Sequence, residues 1–404
     1  MSGPLSGIKV VEVANFLAVP SCAALMADMG AEVIKVEPPQ GDPFRWLARR
    51  EEFQFDFPLS YAFELDNRGK RGIALDLNKP EAVDVMWKLV DRADVFVTNL
   101  VPRRLERFQL RYEDLSPENQ RLIYLAFSGY GPRGPDRDRL GFDHTAFWAR
   151  TGLMYMISEL SDEPLDLQDG MGDHTTSPLL LAGVLAALLE RHRTGKGQLV
   201  TASLLNMGLW VLGADVQEAL ASGRPPHRRR RAEARDAMVN TYKTSDGRWF
   251  LMVMPDNNVN WTRLCKAIYR EDMISDPKFD TVEGRRENAA QIITLLDQIF
   301  GCKSLDDWTP SLDANEVIYA PMRGLMEALE DPQVEANEML CTLEHPNHGP
   351  YKILNTPIRL EGSQVGPRGP APELGQHTEE VLLELGYSWD DIKRLQDRGV
   401  TLGP

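Results

Sequence analysis

The stretch IKVVEVANFLAVPSCAALMADMGAEVIKVE, residues 8–37, decides the fold class. It holds two β-rich runs, residues 8–14 and 31–37, and between them a segment that we expect to be helical near Ser21 to Met29. A strand, a helix and a second strand in succession are typical of a βαβ unit, whose two strands lie parallel in one sheet. The stretch therefore predicts an α/β fold built on a parallel sheet.

The same alternation continues along the first half of the chain. Further β-rich runs occupy residues 72–77, 94–100 and 122–131, and the pattern predicts a helix from Pro80 to about Arg92. No GxGxxG motif follows the first strand, so the usual dinucleotide fingerprint is missing. The pattern predicts a Rossmann-like domain without predicting an NAD site.

At 404 residues the chain is long for a single core, which favours more than one domain. We expect a large Rossmann-like domain whose N-terminal part is residues 1–221, followed by a polar, charge-dense linker at residues 222–237. A hairpin signal, Ser245-Asp246-Gly247, then opens a smaller α+β domain predicted at residues 238–330. The C-terminal segment, residues 331–404, begins β-like, ends in a helix, and is expected to return to the large domain.

The composition excludes several classes of protein. A formal net charge of -15 and a pI near 5.0 argue against a general nucleic-acid binder or a protein that binds anionic membranes. The four cysteines are widely spaced and suggest neither a disulfide framework nor a zinc site. With no apolar run of membrane-spanning length, the expectation is a cytoplasmic protein with no membrane or nucleic-acid partner.

One carboxylate stands out in GMGDHTTSPLLLAGVLAALLERHRTGKGQ, residues 170–198. Ser177 is a good N-cap residue and Pro178 suits the first helical position, so the pattern predicts a helix that starts there. Asp173 is then expected just outside the helix, in a collar of small polar residues. Taken alone, an aspartate at this place is commonly a helix cap, and a catalytic carboxylate is the alternative.

An ordered set of motifs decides between these alternatives. The chain resembles the class III CoA-transferases, also called the CaiB/BaiF family, which includes formyl-CoA transferase and related acyl-CoA transferases. The matching motifs span nearly the whole chain; in order they are LSGIKVVEVANFLAVP (5–20), GAEVIKVEPPQGDPFR (30–45), NRGKRGIALDL (67–77), DVFVTNL (94–100), SGYGPRGP (128–135), MGDHTTS (171–177), RTGKGQ (193–198) and PELGQHTEEVL (372–382).

The resemblance implies that Asp173 is a nucleophile. Its carboxylate would attack an acyl-CoA to give an anhydride, CoA would return to give an aspartyl-CoA thioester, and an acceptor acid would complete the exchange. We expect an ordinary, already ionised aspartate, with Gly172 admitting the thioester and free N–H groups at the helix start stabilising an oxyanion. Coenzyme A enters as acyl-CoA substrate, and no metal is expected.

The resemblance also implies further site residues and a partner. The partner is a second copy of the chain, in a homodimer of interlocked rings. Phe142 and Asp143 match a segment beside the nucleophile and are expected to contact substrate together with Gly172. The positions that match CoA contacts in the family are Asn15, Phe16, Leu17, Ala18, Leu75, Asn99, Leu100 and Arg107.

Several alternatives stay open on the sequence. An α-methylacyl-CoA racemase would use the same fold, but its second proton-transfer group is a histidine where this chain has Phe142, which cannot move a proton. A non-catalytic CoA-binding protein is the other alternative, and the intact Asp173 and Gly172 count against it. Roles for His144 and His174 are left open, and the arginine run at residues 228–231 is expected to be an exposed loop, a contact with the partner subunit or a CoA phosphate contact. The donor and acceptor acids are not identified.

Overall fold

The structure is a computed structural model that describes residues 2–47, 59–158, 164–165, 167–226 and 230–402. The described residues form two compact units. The larger unit holds residues up to Ile157, residues 164–223 and the chain from Glu335 onward, and the smaller unit holds Ser158 and Arg224–Val334. Within the described part of the chain, no helix is both long enough and apolar enough to cross a membrane.

The regular elements are numbered in chain order. The strands are β1 (Lys9–Val13), β2 (Glu32–Glu37), β3 (Arg71–Ala74), β4 (Val95–Thr98), β5 (Ile123–Ser128), β6 (Leu199–Ser203), β7 (Val239–Lys243), β8 (Trp249–Val253), β9 (Tyr319–Pro321), β10 (Leu340–His345) and β11 (Gly349–Leu354). The α-helices are α1 (Ala18–Asp28), α2 (Phe44–Leu47), α3 (Tyr61–Asn67), α4 (Pro80–Asp91), α5 (Pro102–Arg107), α6 (Tyr112–Leu115), α7 (Leu153–Ile157), α8 (Met171–Thr194), α9 (Leu204–Val211), α10 (Gly213–Ser222), α11 (Asn258–Ala267), α12 (Val282–Glu287), α13 (Ala289–Phe300), α14 (Leu305–Ala314), α15 (Leu325–Leu329), α16 (Pro332–Ala336), α17 (Thr378–Glu384) and α18 (Trp389–Asp397). A π-helical segment covers Asp143–Ala149, and short 3₁₀ helices cover Arg231–Glu233 and Glu271–Ile274.

The larger unit is built on one six-stranded sheet in the order β3-β2-β1-β4-β5-β6. Every neighbouring pair in it is parallel. This is the order of a doubly wound Rossmann-type sheet, in which the winding direction reverses between β1 and β4. The predicted α/β fold with a parallel sheet is confirmed.

Both faces of this sheet are covered and are apolar over most of their area, as a parallel sheet requires. One face packs with α1 and α8 through residues such as Val10, Ala23 and Val184. The opposite face packs with α4 and with the C-terminal helices α17 and α18, through residues such as Val85 and Ile392. Residues from both ends of the chain therefore share one core.

The smaller unit has its own antiparallel sheet, β7-β8-β9. Helices pack against this sheet, and the core that they share with it includes Trp261, Phe250 and Phe300. The predicted hairpin at Ser245-Asp246-Gly247 is confirmed, because these residues connect β7 to β8. Of the arginine run, positions 228 and 229 lie outside the described residues. Arg231 is paired with Asp297 and donates to the Thr241 carbonyl oxygen, so it is a structural contact of this unit.

Two features of the larger unit differ from the sequence prediction. The sixth strand, β6, was not predicted, and it extends the sheet by pairing with β5. The β-like run at residues 349–354 does not join the large sheet, because it forms β11 and pairs with β10 in a separate two-stranded sheet. A hairpin partner immediately before it in the chain satisfies its backbone hydrogen bonds locally.

A buried ion network lies under the carboxyl end of the large sheet. The Nζ of Lys35 on β2 is 2.9 Å from Glu12 Oε1 on β1 and 3.0 Å from Asp42 Oδ2, and all three side chains are fully buried. Glu12 and Lys35 stand directly opposite each other in the sheet register, and Lys70 lies 2.7 Å from the second Glu12 oxygen. Buried charges are tolerated only when each has its partner, so the network is sensitive to the loss of one member.

We expect Lys35→Met to lower the free energy of unfolding by about 3–5 kcal/mol, because Asp42 would lose its cation inside the protein. Urea unfolding followed by circular dichroism measures this change. Arg71→Met is the control, since Arg71 pairs with Glu380 and Glu384, whose side chains are more than half exposed. The control should lose less than about 1 kcal/mol. Equal losses in the two variants would contradict the assigned role of the network.

Candidate active site

The helix that carries Asp173 starts earlier than the sequence predicts. It begins at Met171, after Gly170 in the left-handed conformation with φ 84°, so Asp173 lies in its first turn and Pro178 lies inside it. The predicted N-cap, Ser177, instead donates its hydroxyl to the carbonyl oxygens of Ala18 and Asp173, each at 2.9 Å. The expectation that Asp173 lies outside the helix is therefore wrong.

The helix start is capped by a carboxylate from another segment. Asp143, at the start of the π-helical segment, accepts hydrogen bonds from Gly170 N–H at 2.8 Å and Gly172 N–H at 3.1 Å. An acceptor with negative charge at this end also matches the helix dipole. Both oxygens of Asp143 are occupied and the residue is 4% exposed, so the geometry favours a positioning role over the predicted substrate contact.

Gly172 is needed for packing. A Cβ atom built on it would lie 2.2 Å from Asp143 Oδ1 and 2.5 Å from the Phe147 ring, so a larger residue would push the π-helical segment away from α8. The position that a Cβ would occupy on Gly172 is filled by Asp143 and Phe147, and a role of this glycine in the approach of a thioester stays a prediction. Its N–H group is not free for an oxyanion either, because Asp143 accepts it.

The electrostatics around Asp173 are unusual for an aspartate. Burial raises the pKa of Asp173 to about 7, the neighbouring Asp143 carboxylate adds to the rise, and His174 opposes it. No hydrogen bond to the Asp173 carboxylate is found from any residue that the structure describes. The expected ordinary, fully ionised aspartate is therefore corrected to a carboxylate that gains its proton near neutral pH.

Asp66, which the sequence analysis missed, lies next to this site. The Nε2 atom of His174 is 3.0 Å from Asp66 Oδ1 on α3, and the Asp66 side chain is fully buried. This hydrogen bond is the main cause that raises the pKa of His174. Asp66 lies 108 positions from His174 and one position before the family motif at residues 67–77, and no local pattern marked it.

Four predicted CoA contacts lie at the carboxyl end of β1. Asn15 donates its N–H to Asn99 Oδ1 at 3.1 Å, and the Asn99 amide donates back to the Asn15 carbonyl oxygen at 2.7 Å. Asn99 follows β4, so this reciprocal pair spans the point where the strand order reverses, which is where doubly wound sheets bind ligands. Phe16 follows with φ 66°, and its N–H is held by Asp42 Oδ1 at 3.2 Å.

The same segment reaches the Asp173 helix. Ala18 accepts the Ser177 hydroxyl, and a Cβ on Gly170 would lie 2.7 Å from Leu17 Cδ1. The Phe16 ring meets the ring of Phe142 edge-on, with centroids 5.2 Å apart. The structure thus brings residues 15–18 together with Phe142 and the start of α8.

Three predicted CoA contacts remain, namely Leu75, Leu100 and Arg107. Leu75 is 1% exposed and belongs to the core, so its side chain does not reach the surface. Leu100 follows Asn99, and its N–H bonds to the Thr98 hydroxyl at 3.1 Å. Arg107 is exposed on α5. As CoA contacts, these three residues stay predictions.

A possible metal-ligand group occurs elsewhere in the larger unit. In the described part of the chain, His345, His348 and Glu373 form the one group of this kind, with ligand atoms within 4.8 Å of one another. His345 Nδ1 accepts the Asn347 N–H at 3.2 Å. None of these residues was among the predicted site residues, and the expectation that the reaction uses no metal stays a prediction.

Comparison with known proteins connects this arrangement to a family. The model of CoA-transferase family III matches residues 5–378. The chain is 32% identical over 396 residues to an (R)-2-hydroxy-4-methylpentanoate CoA-transferase of Clostridioides difficile, covering 98% of this chain and 99% of the relative. It is 30% identical over 400 residues to the human succinyl-CoA:glutarate CoA-transferase, covering 98% and 90%.

A solved structure agrees with these sequence matches. The crystal structure of a CaiB/BaiF family protein from Brucella suis superposes with a TM-score of 0.82 at 31% identity, covering 95% of this chain and all of that one. The chain belongs to CoA-transferase family III.

Proposed function

We propose that this enzyme moves CoA between an acyl-CoA and a free carboxylic acid through covalent intermediates on Asp173. The observation that carries the proposal is the placement of Asp173. Its carboxylate lies in the first turn of α8 beside the segment 15–18, and it has no hydrogen-bond partner among the described residues. A partly buried carboxylate that is not engaged in hydrogen bonds is available as a nucleophile.

The proposed steps balance without an external energy source. An oxygen of Asp173 attacks the thioester carbonyl carbon, the C–S bond breaks, and CoA leaves as a thiolate from a mixed anhydride. The thiolate then attacks the aspartyl carbonyl carbon and releases the donor acid as a carboxylate, which leaves an aspartyl-CoA thioester. The acceptor carboxylate attacks that thioester to form a second anhydride, and the thiolate attacks its acyl carbonyl to give the new acyl-CoA and free Asp173.

The CoA is proposed to lie along the carboxyl end of the large sheet. Asn15, Phe16, Asn99 and the neighbouring residues Leu17, Ala18 and Leu100 surround the β1 to β4 reversal point, which supports this placement. Arg107 on α5 is an exposed cation suited to a CoA phosphate. Leu75, being buried, would contribute by shaping the core under the site. The acids themselves are proposed only as organic carboxylic acids.

We also propose that the working enzyme is a homodimer. Helix α10 has no buried residue, and Trp210, Leu220 and Leu189 are 76%, 74% and 74% exposed. Exposed apolar residues of this size in the same unit are typical of protein contact surfaces. The interlocked arrangement rests on the family resemblance alone. All four cysteines are free, which suits the proposed location in a reducing cytoplasm.

Asp173→Ala should abolish transfer, because no other group would form the anhydride. The measurement is mass spectrometry of enzyme mixed with a panel of acyl-CoAs and hydroxylamine, which traps activated carboxylates as hydroxamates. We expect an acyl-CoA-dependent hydroxamate on the peptide that contains Asp173. Asp169→Asn is the matched control, because that side chain is 81% exposed and lies four positions away; it should keep both the transfer activity and the hydroxamate.

Three outcomes would overturn this mechanism. Retained transfer in Asp173→Ala would remove Asp173 as the nucleophile. Incorporation of deuterium from D2O at the α-carbon of an acyl-CoA, without transfer, would favour the racemase alternative. Tight CoA binding with neither reaction would favour a non-catalytic binder.

The rate should depend on pH through Asp173 itself. Since the pKa of Asp173 is raised to about 7, the carboxylate is lost as the pH falls below that value, and kcat/KM should fall with it. Asp143→Asn removes a neighbouring negative charge, so the pKa of Asp173 should fall and the acid limb of the profile should move to lower pH. An acid limb that stays in place or moves upward in this variant would contradict the assignment.

A further inference from the structure

Three carboxylates crowd the start of α8. Asp143 caps the helix, Asp173 is the proposed nucleophile, and Asp66 is hydrogen-bonded to His174. The negative charges of Asp143 and Asp66 both oppose ionisation of Asp173. A nucleophilic carboxylate in this position therefore needs a nearby positive charge.

His174 is placed to supply that charge. It follows Asp173 in the chain, and its Nε2 atom is 3.0 Å from Asp66 Oδ1. The Asp66 carboxylate is fully buried, and its other oxygen, Oδ2, has no hydrogen-bond partner. A buried carboxylate with so few donors is stabilised by an ionised partner, which favours the imidazolium form of the histidine.

Asp66 is itself firmly held. It lies near the end of α3, and its backbone carbonyl oxygen accepts a hydrogen bond from Lys70 Nζ at 2.8 Å. Lys70 is the same residue that pairs with Glu12 in the buried ion network under the sheet. The backbone that carries the Asp66 carboxylate is thus tied to the buried core.

We infer that Asp66 and His174 are a positioning pair: the buried Asp66 carboxylate holds His174 as an imidazolium, and that cation keeps the adjacent Asp173 negatively charged and ready to attack. The inference rests on the proposed function of Asp173 as the nucleophile. The charged and titratable groups that face Asp173 are Asp143, His174, Asp66 and His144, and His174 is the stronger of the two cationic influences.

His144 does not have the same support. Its Nε2 atom is 2.9 Å from the Leu167 carbonyl oxygen, and its Nδ1 atom is 3.6 Å from the carboxylate of Asp169, which is 81% exposed. A partner in contact with water stabilises an imidazolium only weakly. A fully buried partner at hydrogen-bond distance distinguishes His174 from this neighbour.

The first experiment compares the pH profiles of kcat/KM for the wild type, His174→Gln and His174→Lys. Glutamine can keep a hydrogen bond to Asp66 but has no charge, so the acid limb should move to higher pH by roughly one unit, a loss of about 10-fold at pH 6 with little change at pH 9. Lysine keeps a charge, so its acid limb should lie at or below that of the wild type. His192→Gln, at the exposed far end of the same helix, should leave the profile unchanged.

The relative activities of His174→Gln and His174→Lys show whether the charge or the shape of the side chain at position 174 matters. If His174 only fills space or makes a neutral hydrogen bond, glutamine should replace it well and lysine poorly, and that order would overturn the inference. An unmoved acid limb in His174→Gln would overturn it as well, since the charge of Asp173 would not depend on the histidine.

A second measurement does not depend on activity. NMR titration of histidine-labelled enzyme, with the His174 signal assigned from its loss in His174→Gln, should give a His174 pKa that falls in Asp66→Asn. The same titration in Asp173→Ala tests the pair when the enzyme cannot turn over. An unchanged His174 pKa in Asp66→Asn would refute the pair. Retained transfer in Asp173→Ala would instead refute the proposed function, so the two failures are distinguishable.

Discussion

The site depends on one ammonium group inside the sheet, that of Lys35. It lies between Glu12 and Asp42, and Asp42 in turn accepts the N–H groups of Phe16 and Phe44. A phenylalanine at φ 66° is unfavourable by about 1–2 kcal/mol, and the hydrogen bond that the Phe16 N–H donates to Asp42 helps to hold it there. The turn after β1 lines the β1 to β4 reversal point. Its conformation therefore depends on the charge of Lys35, which is fully buried.

A second constraint comes from the surroundings of Asp173, the proposed nucleophile. The partial burial of Asp173 disfavours its charged form, which is the form that the proposed mechanism needs. The neighbours act in both directions: Asp143 fixes the helix start and adds negative charge, while His174 opposes that charge. The ionisation of Asp173 is a balance among groups on three segments, namely α8, the π-helical segment and α3, so a change in any one of them shifts that ionisation near neutral pH.

The sheet was predictable because strands and helices alternate in the first half of the chain, and Asp173 was found through the motif around it. The start of its helix was not predictable, because Ser177 has the side chain of an N-cap but turns its hydroxyl to Ala18, while the cap comes from Asp143 in another segment. A local sequence pattern carries information only about residues that lie a few positions apart in the chain. Asp66 meets His174 across 108 positions, and only the fold brings them together.

The shared core of the two chain ends has a consequence for synthesis on the ribosome. The edge strand β3 is bonded through Ala74 to Thr378 and Thr401, 304 and 327 positions later. At a translation rate of about 5–20 residues per second, roughly 15 to 60 s pass between the synthesis of β3 and of these partners. During that interval one apolar face of the nascent sheet has no covering helices from α17 and α18. Loss of the last turns of the chain would therefore damage the core of its first strands.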